Sequence, residues 1–333
     1  LFAALFFFFI PALGITPKAV LLLYLIVSLA LIFFWRLTLF PRLAAHRPLE
    51  QAVLLTLGKE ADELFAEVNG NPRYGIVFVS RTRDAQEQDA SLVVDGEGPQ
   101  AVSFEDLFEE VFDRIPLSKL GQAWFRENLT TDPFWYALTK RGIDIVGGIV
   151  MGLVTLIIAP FVYIANLFES PGPLFIRQER LGRYGTHMFV YKFRSMTKNL
   201  AASGEWLQEG KNRVTRVGAF LRHMSLDEFP QFINVLTGEI SLIGPRSDIL
   251  GLGQRLKEAL PYYEMRYVVV PGITGWAQIN QQYEPGNVSP QSIEETKVRL
   301  AYDFYYLKHR SLGLDIIIAL KTVKRMFFRL SSW

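Results

Sequence analysis

The 333-residue chain contains no cysteine. That excludes disulfide frameworks, thiolate zinc sites and cysteine nucleophiles together. Histidine is nearly as scarce, and His46, His187, His223 and His309 are scattered without metal-ligand spacing. Charge does not lean to one sign either: 35 Lys and Arg stand against 33 Asp and Glu. That balance gives no global case for nucleic-acid binding, and no nucleic-acid partner is expected. What the chain does have is apolar residues, half of the total, gathered into a few long runs. Its length allows roughly two folding units with ample core, so only part of it needs to face lipid.

Ala19 to Trp35 is interrupted only by Ser28, and the apolar character continues to Phe40 apart from Arg36. At 1.5 Å per residue the run covers about 30 Å, enough to cross a bilayer core. Leu1 to Ile10 is equally apolar but too short to span. Because the chain opens on Leu1 rather than Met, residues 1–41 read as a transmembrane hairpin with a truncated first helix. A signal peptide is the competing reading, but no basic stretch precedes the run and no small-residue cleavage site follows it. Arg36, Arg42 and Arg47 follow the second helix, which places the chain beyond it in the cytoplasm.

Ile143 to Phe168 is a second apolar run, broken by Asp144, Pro160 and Asn166. A full crossing is the plain reading. Against it, Lys140 and Arg141 flank one end and Arg177, Arg180 and Arg183 the other, so both ends read as cytoplasmic. Pro160 also deletes a backbone hydrogen bond in mid-run. The preferred expectation is a re-entrant helix over 143–168, broken at Pro160. Leu312 to Phe328 ends in Lys321, Lys324, Arg325 and Arg329. It reads equally as an amphipathic helix in the headgroup plane or as a core helix with a basic end.

Residues 42–135 read as a soluble α/β, Rossmann-like module: strands at 52–58, 74–80 and 91–95, and helices at 59–70 and from Ser103. The first strand–helix turn, Gly58-Lys59-Glu60-Ala61-Asp62-Glu63, has one glycine and three carboxylates. A pyrophosphate needs glycines there and no repulsion. The module is therefore expected to be structural or oligomeric, which makes a second copy of the chain a candidate partner. Arg81 to Asp113, with ten acidic and two basic residues, reads as a solvated face.

Chemistry concentrates beyond residue 136. Arg177 to Arg222 holds ten Lys and Arg against three Glu, interleaved with aromatics as in FVYKFRSM. The excess suits either anionic headgroups or a pocket for a phosphate-rich substrate, and the interleaving favours the pocket. In LRHMSLDEFPQFINVLTGEISLIGPRSD, Ser225 and Glu228 have the spacing of a capping box. Asp227 then sits at a helix start amid positive charge, which lowers a carboxylate pKa and keeps it ionised as a nucleophile. Adjacent carboxylates also suit Mg²⁺, which takes one or two from protein and fills its shell with water and phosphate. Arg246, in the Gly244-Pro245-Arg246 turn, is placed to grip phosphate. His223 reads as a surface histidine, Trp276 as a packed one, and Arg266 as either site-lining or a structural ion pair.

KRGIDIVGGIV, SPGPLFIRQERLGRYG, YKFRSM, LRHMSLDEFPQFINVLTGEISLIGPR, PGITGWAQIN and YDFYYLKHRSLGLDIIIALKTV resemble the bacterial sugar transferases, the monotopic phosphoglycosyl transferases, over about 140–328. The resemblance implies an α+β membrane protein with a mainly helical, membrane-embedded catalytic domain at 136–333. It also implies a bacterial inner membrane location, with the catalytic domain on the cytoplasmic face. Such enzymes move a sugar-1-phosphate from a UDP-sugar to polyprenyl phosphate with Mg²⁺, releasing UMP. Their Asp nucleophile falls on Asp227 and their metal-holding Glu on Glu228. Their substrate-binding residues fall on Lys192, Arg194, Arg222, Arg246, Asp248 and Gln278, and their helix break on Pro160. Two departures stand out: Ser247 replaces a common proline, and Gln281-Gln282 replaces a common Gly-Arg pair. A membrane-anchored scaffold and a UDP-releasing glycosyltransferase remain as rival readings.

Overall fold

The computed structural model describes residues 18–39, 42, 49–54, 56–81, 90–95, 98–129, 132–196, 214–283 and 289–330. Two compact units divide the chain, Leu1–Leu107 and Phe108–Trp333. The short stretch expected as a first helix, Leu1 to Ile10, lies outside the described residues.

In the first unit, α1 (Lys18–Phe34) continues as a π-helical turn, Trp35–Leu39. A four-stranded sheet follows, from β1 (Glu50–Leu54), β2 (Ile76–Arg81), β3 (Ala90–Asp95) and β4 (Gly98–Ser103), with α2 (Lys59–Gly70) between the first two. Its order is β2-β1-β3-β4. α2 buries Ala61, Leu64 and Val68, spaced to line one helical face.

Only the β1–α2–β2 step is parallel; β3 runs antiparallel to β1, and β4 to β3. The sheet is therefore mixed, where a doubly wound order was expected. Chain length gives the reason. Residues 82–89 join β2 to β3, and a parallel return needs a crossover of about a dozen residues or more.

α3 (Phe104–Phe112) comes next along the chain, then α4 (Gln122–Asn128) and the long α5 (Phe134–Glu169). The antiparallel hairpin of β5 (Phe175–Leu181) and β6 (His187–Phe193) follows. After α6 (Arg216–His223) come a 3₁₀ turn, Leu226–Gln231, then α7 (Phe232–Thr237) and β7 (Ser241–Ile243). α8 (Leu250–Ala259), a second 3₁₀ turn (Tyr263–Val268) and β8 (Gly272–Thr274) lead to α9 (Trp276–Asn280), α10 (Ile293–Lys308) and α11 (Leu312–Leu330). The second unit starts upstream of the expected boundary at 136 because Ile115, Trp124 and Phe125 are buried in one core with Leu256, Tyr263, Leu300 and Phe304.

α5 buries a stripe of Tyr136, Asp144, Gly148, Gly152, Thr155, Val162 and Asn166. Its other side exposes large apolar residues from Phe134 to Phe168. Among the described residues it is the one helix long and apolar enough to cross a membrane. The expected break at Pro160 is not a break in helical structure, since α5 is helical on both sides of it. A proline removes one N–H, here the donor to the Leu156 carbonyl, and helical structure nonetheless continues to Glu169.

α11 has one side built into the core and one side exposed. Asp315 and Ile318 face inward, while Ile316, Ile317, Leu320 and Val323 face outward. Asp315 accepts hydrogen bonds from Lys140 (3.0 Å), Tyr136 (3.1 Å) and Tyr306 (2.9 Å), pinning the first turns of α5 to α10 and α11.

Candidate active site

The Asp227-Glu228 pair rides on a turn of unusual entry. Ser225 adopts the left-handed backbone (φ 56°, ψ 20°), and its side chain caps nothing. The expected capping box is thus absent. A cap residue needs an extended backbone to aim its oxygen at the following N–H groups, and the Glu228 carboxylate is engaged elsewhere. The left-handed step turns the chain sharply from α6 into the 3₁₀ turn, whose first turn carries both carboxylates.

Three other elements converge on that turn. In the β5–β6 ladder Arg180 pairs with Met188 and Ile176 with Lys192, so alternation puts Arg180 and Lys192 on the same, inward face. Glu228 accepts from Lys192 Nζ at 2.7 Å, and from both terminal nitrogens of Arg246, one at 3.2 Å. Arg246 also reaches the Ile273 carbonyl at 3.3 Å, at the β7–β8 edge. Arg180 anchors itself on the Ser247 carbonyl and on Gln178 (3.0 Å).

Charge follows from this geometry. Burial pushes the Glu228 carboxyl up, but Arg246 and Lys192 outweigh it and hold it well below the usual carboxylate range. Burial likewise raises Asp227; the Glu228 charge adds to that, and Lys192, Arg222 and Arg246 offset only part. The expected lowering of Asp227 is therefore reversed, because its neighbour takes the cations by direct contact. Asp227 makes no hydrogen bond among the described residues and is half-buried. Burial lowers Lys192 to about 8, with Arg180 and Arg246 pushing the same way against Glu228. Arg180 is lowered to about 10 by burial and by Arg246.

Arg222 holds the Ser195 hydroxyl at 3.0 Å. Arg194 turns to the end of α5 instead, donating to the carbonyls of Ser170 and Pro171. Gln278 donates to the same Ile273 carbonyl as Arg246, at 2.9 Å, and its Oε1 is buried without a partner.

Asp248 departs from its expected substrate-binding place. It is 3 % exposed and bound by Arg266, Arg299 (2.9 Å), Tyr263 (2.8 Å) and Tyr267 (2.7 Å). Burial acts to raise it, yet the two guanidinium groups and two phenols hold it well below the carboxylate range. Both carboxylate oxygens are engaged by buried side chains, so Asp248 lies beneath the dyad's surroundings as part of a buried ion-pair network. Arg266 also binds Asp303 at 2.9 Å and donates to the Arg246 carbonyl at 2.8 Å. That answers the open question about Arg266: it is a buried ion-pair residue, while Glu264 pairs with Lys257 near the surface.

The sequence placed Arg180 in the basic stretch read as a phosphate pocket without giving it a role of its own, and it did not mark Arg299. The β-strand alternation that puts Arg180 on the same face as Lys192 was available as a signal; nothing local marks Arg299. Trp276 is packed, as expected: its ring stacks on Tyr305 at 5.6 Å.

Among the described residues no group of three His, Asp or Glu side chains could hold a metal. Asp227 and Glu228 offer two carboxylates ringed by Lys192, Arg222 and Arg246. That set suits Mg²⁺, whose shell is completed by water and phosphate oxygens, and it suits no cation that needs an all-protein cage.

The bacterial sugar transferase family model matches residues 135–329, which include every residue of this site. The UDP-N-acetylgalactosamine-undecaprenyl-phosphate N-acetylgalactosaminephosphotransferase of Aeromonas hydrophila is 40% identical over 191 residues, 57% of this chain and 44% of that protein. The UDP-glucose:undecaprenyl-phosphate glucose-1-phosphate transferase of Escherichia coli (strain K12) is 39% identical over 201 residues, 59% of this chain and 42% of that protein. The chain thus spans less than half the length of these two relatives. An exopolysaccharide production protein, PSS, of Rhizobium leguminosarum bv. phaseoli is 36% identical over 192 residues, 55% of this chain and 92% of that protein. With more than half of its length matched by the family model, site included, the chain belongs to the bacterial sugar transferase family.

Proposed function

We propose that this chain transfers a sugar-1-phosphate from a UDP-sugar to undecaprenyl phosphate, as the names of its relatives suggest, and so starts a surface glycan. One observation carries the assignment of roles: Asp227 is an unpaired, half-buried carboxylate beside a Glu that Lys192 and Arg246 already neutralise. A carboxylate with no hydrogen bond to give up is ready to attack. An Asp227 oxygen would bond to the sugar-bearing phosphorus while the bond from that phosphorus to the bridging oxygen breaks. UMP leaves with the electron pair. An oxygen of the lipid phosphate then attacks the same phosphorus and frees Asp227.

Lys192, Arg222 and Arg246 would offset charge on the transferring phosphoryl, the dominant contribution in such reactions. Asp227 and Glu228 would hold Mg²⁺, which when bound supplies further positive charge to the phosphate oxygens. The exposed apolar side of α5 would lie in the cytoplasmic leaflet of the inner membrane with both ends on one face, and bring the lipid phosphate to the dyad. The two relatives of nearly equal identity differ in their named sugar, so the donor is set by experiment.

The test uses the full chain in nanodiscs with Mg²⁺, a panel of UDP-sugars and undecaprenyl phosphate. UMP release and a phosphosugar adduct in the intact mass are expected, and Asp227→Asn should lower turnover by about 10³-fold or more. Release of UDP, or an Asp227→Asn variant near the parent rate, would sink the reading.

A further inference from the structure

The family match begins at residue 135, yet the compact unit holding the site begins at Phe108. The intervening segment is built into the core. Ile115, Trp124 and Phe125 are each under a tenth exposed. Phe125 packs edge-on against Phe304 at 5.2 Å, and the Ile115 N–H bonds to the Ala301 carbonyl at 3.1 Å. Glu109 adds an ion pair to Lys308 (2.6 Å) and a hydrogen bond with His309 (2.9 Å).

One contact in this segment leads to the site. Asp113 adopts a left-handed backbone (φ 55°) just after α3, and its carbonyl accepts the Trp276 indole N–H at 2.8 Å. The indole is 5 % exposed, stacked on Tyr305, with Lys321 4.6 Å from its ring centre. A buried indole N–H without an acceptor is costly, so this bond fixes where α9 begins. Two residues on, Gln278 shares the Ile273 carbonyl with Arg246, and Arg246 grips Glu228.

We propose that residues 108–129 form a clasp, contributed from outside the family-matched segment, that positions Arg246 through the Asp113 carbonyl and Trp276. The clasp rests on the reading that Arg246 serves the donor phosphates. Trp276 and Asp113 are positioning residues and touch no substrate.

The Asp113 carboxylate also accepts from the Tyr305 hydroxyl at 3.3 Å, so the control is Asp113→Asn, which tolerates the left-handed turn, keeps an acceptor for Tyr305 and should react like the parent. Asp113→Val forces the backbone out of that region, and Trp276→Phe removes the N–H while keeping a ring to stack. Each of the latter two should lower kcat/KM for the donor about tenfold through misplacement of Arg246. The double variant should lose little more, since both act on one contact. Melting midpoints of the folded variants identify any loss that is merely structural. A parent that releases no UMP would refute the function, not the clasp. An active parent with Trp276→Phe within twofold of it, or a double variant whose loss is the product of the two, would overturn the clasp. If Asp113→Val does not fold, Trp276→Phe decides alone.

Discussion

Lys192 shows how burial sets a working range for a single side chain. Its ammonium is desolvated, and Arg180 and Arg246 repel it, so it titrates at about 8 even though Glu228 attracts it. Below that pH it is charged and available to the donor phosphates; above it Glu228 loses one of its two cationic partners and the pocket loses one positive charge. Donor kcat/KM should therefore fall on an alkaline limb centred near 8, by about tenfold per pH unit beyond it, because this ratio reports free-enzyme groups. Unfolding does not explain such a limb. Between about 8 and the ordinary value of 10.5 the unfolded chain binds the extra proton, so the Lys192 contribution to stability rises with pH over that window. Lys192→Arg should move the limb upward, since guanidinium keeps its proton. An unchanged limb in that variant would assign it to another group. The dyad and Arg246 were legible in the sequence because they are local: two adjacent carboxylates and a glycine-proline turn. The bed under them was not, because Asp248, Arg266, Arg299 and Asp303 meet only in the folded chain, and no periodicity announces an ion-pair network.

At the scale of elements, packing depends on where helices approach closely, and the same substitution should give opposite results at two glycines. A Cβ on Gly147 of α5 would fall 2.4 Å from a Leu242 methyl, the far end of a side chain that can rotate away. A Cβ on Gly218 of α6 would fall 2.1 Å from the Ser195 carbonyl oxygen. Backbone cannot rotate away. Gly218→Ala should thus push α6 off the segment after β6, drawing Arg222 from the Ser195 hydroxyl, at an overpacking cost of about 1–3 kcal/mol or more. Gly147→Ala should stay within about 0.5 kcal/mol of the parent. Thermal melts and UMP release on both variants check this, and equal effects would contradict it. Elements were readable from pattern where apolar residues mark a face or a run: α2 at 59–70 comes from spacing and α5 from its apolar run. What failed was junction chemistry. Neither the left-handed Ser225, the intact helix through Pro160, nor β4 follows from propensity, although Asp95-Gly96 is a hairpin signal in the sequence.

For the catalytic unit as a whole, the two ends of α5 decide how it meets a membrane. Near its start Asp144 accepts from the Ser241 hydroxyl (3.0 Å) and the Leu242 N–H (2.9 Å). At its finish Glu169 accepts from the Arg216 N–H (2.5 Å) and the Val217 N–H (3.0 Å) that open α6. Along the helix those anchors are separated by about 37 Å of rise, more than the roughly 30 Å of a hydrocarbon core. Between them Gly152 packs on Phe232, the residue that follows the turn bearing Asp227 and Glu228. A straight crossing would therefore carry the dyad, Lys192 and Arg180 into hydrocarbon, at about 2.5–3.5 kcal/mol for each charge near the centre. In the proposed arrangement along one leaflet, α5 would bury its apolar side in lipid and leave those charges at the surface. Both ends should then be on the same side. The absence of cysteine makes this measurable: Pro133→Cys and Pro173→Cys each introduce a unique thiol beside one end. An impermeant maleimide should label neither in intact spheroplasts and both after permeabilisation, while Thr16→Cys, in the turn expected outside, should be labelled in both. Labelling of one α5 end alone from outside would mean that the helix crosses, and the leaflet-bound arrangement would be lost.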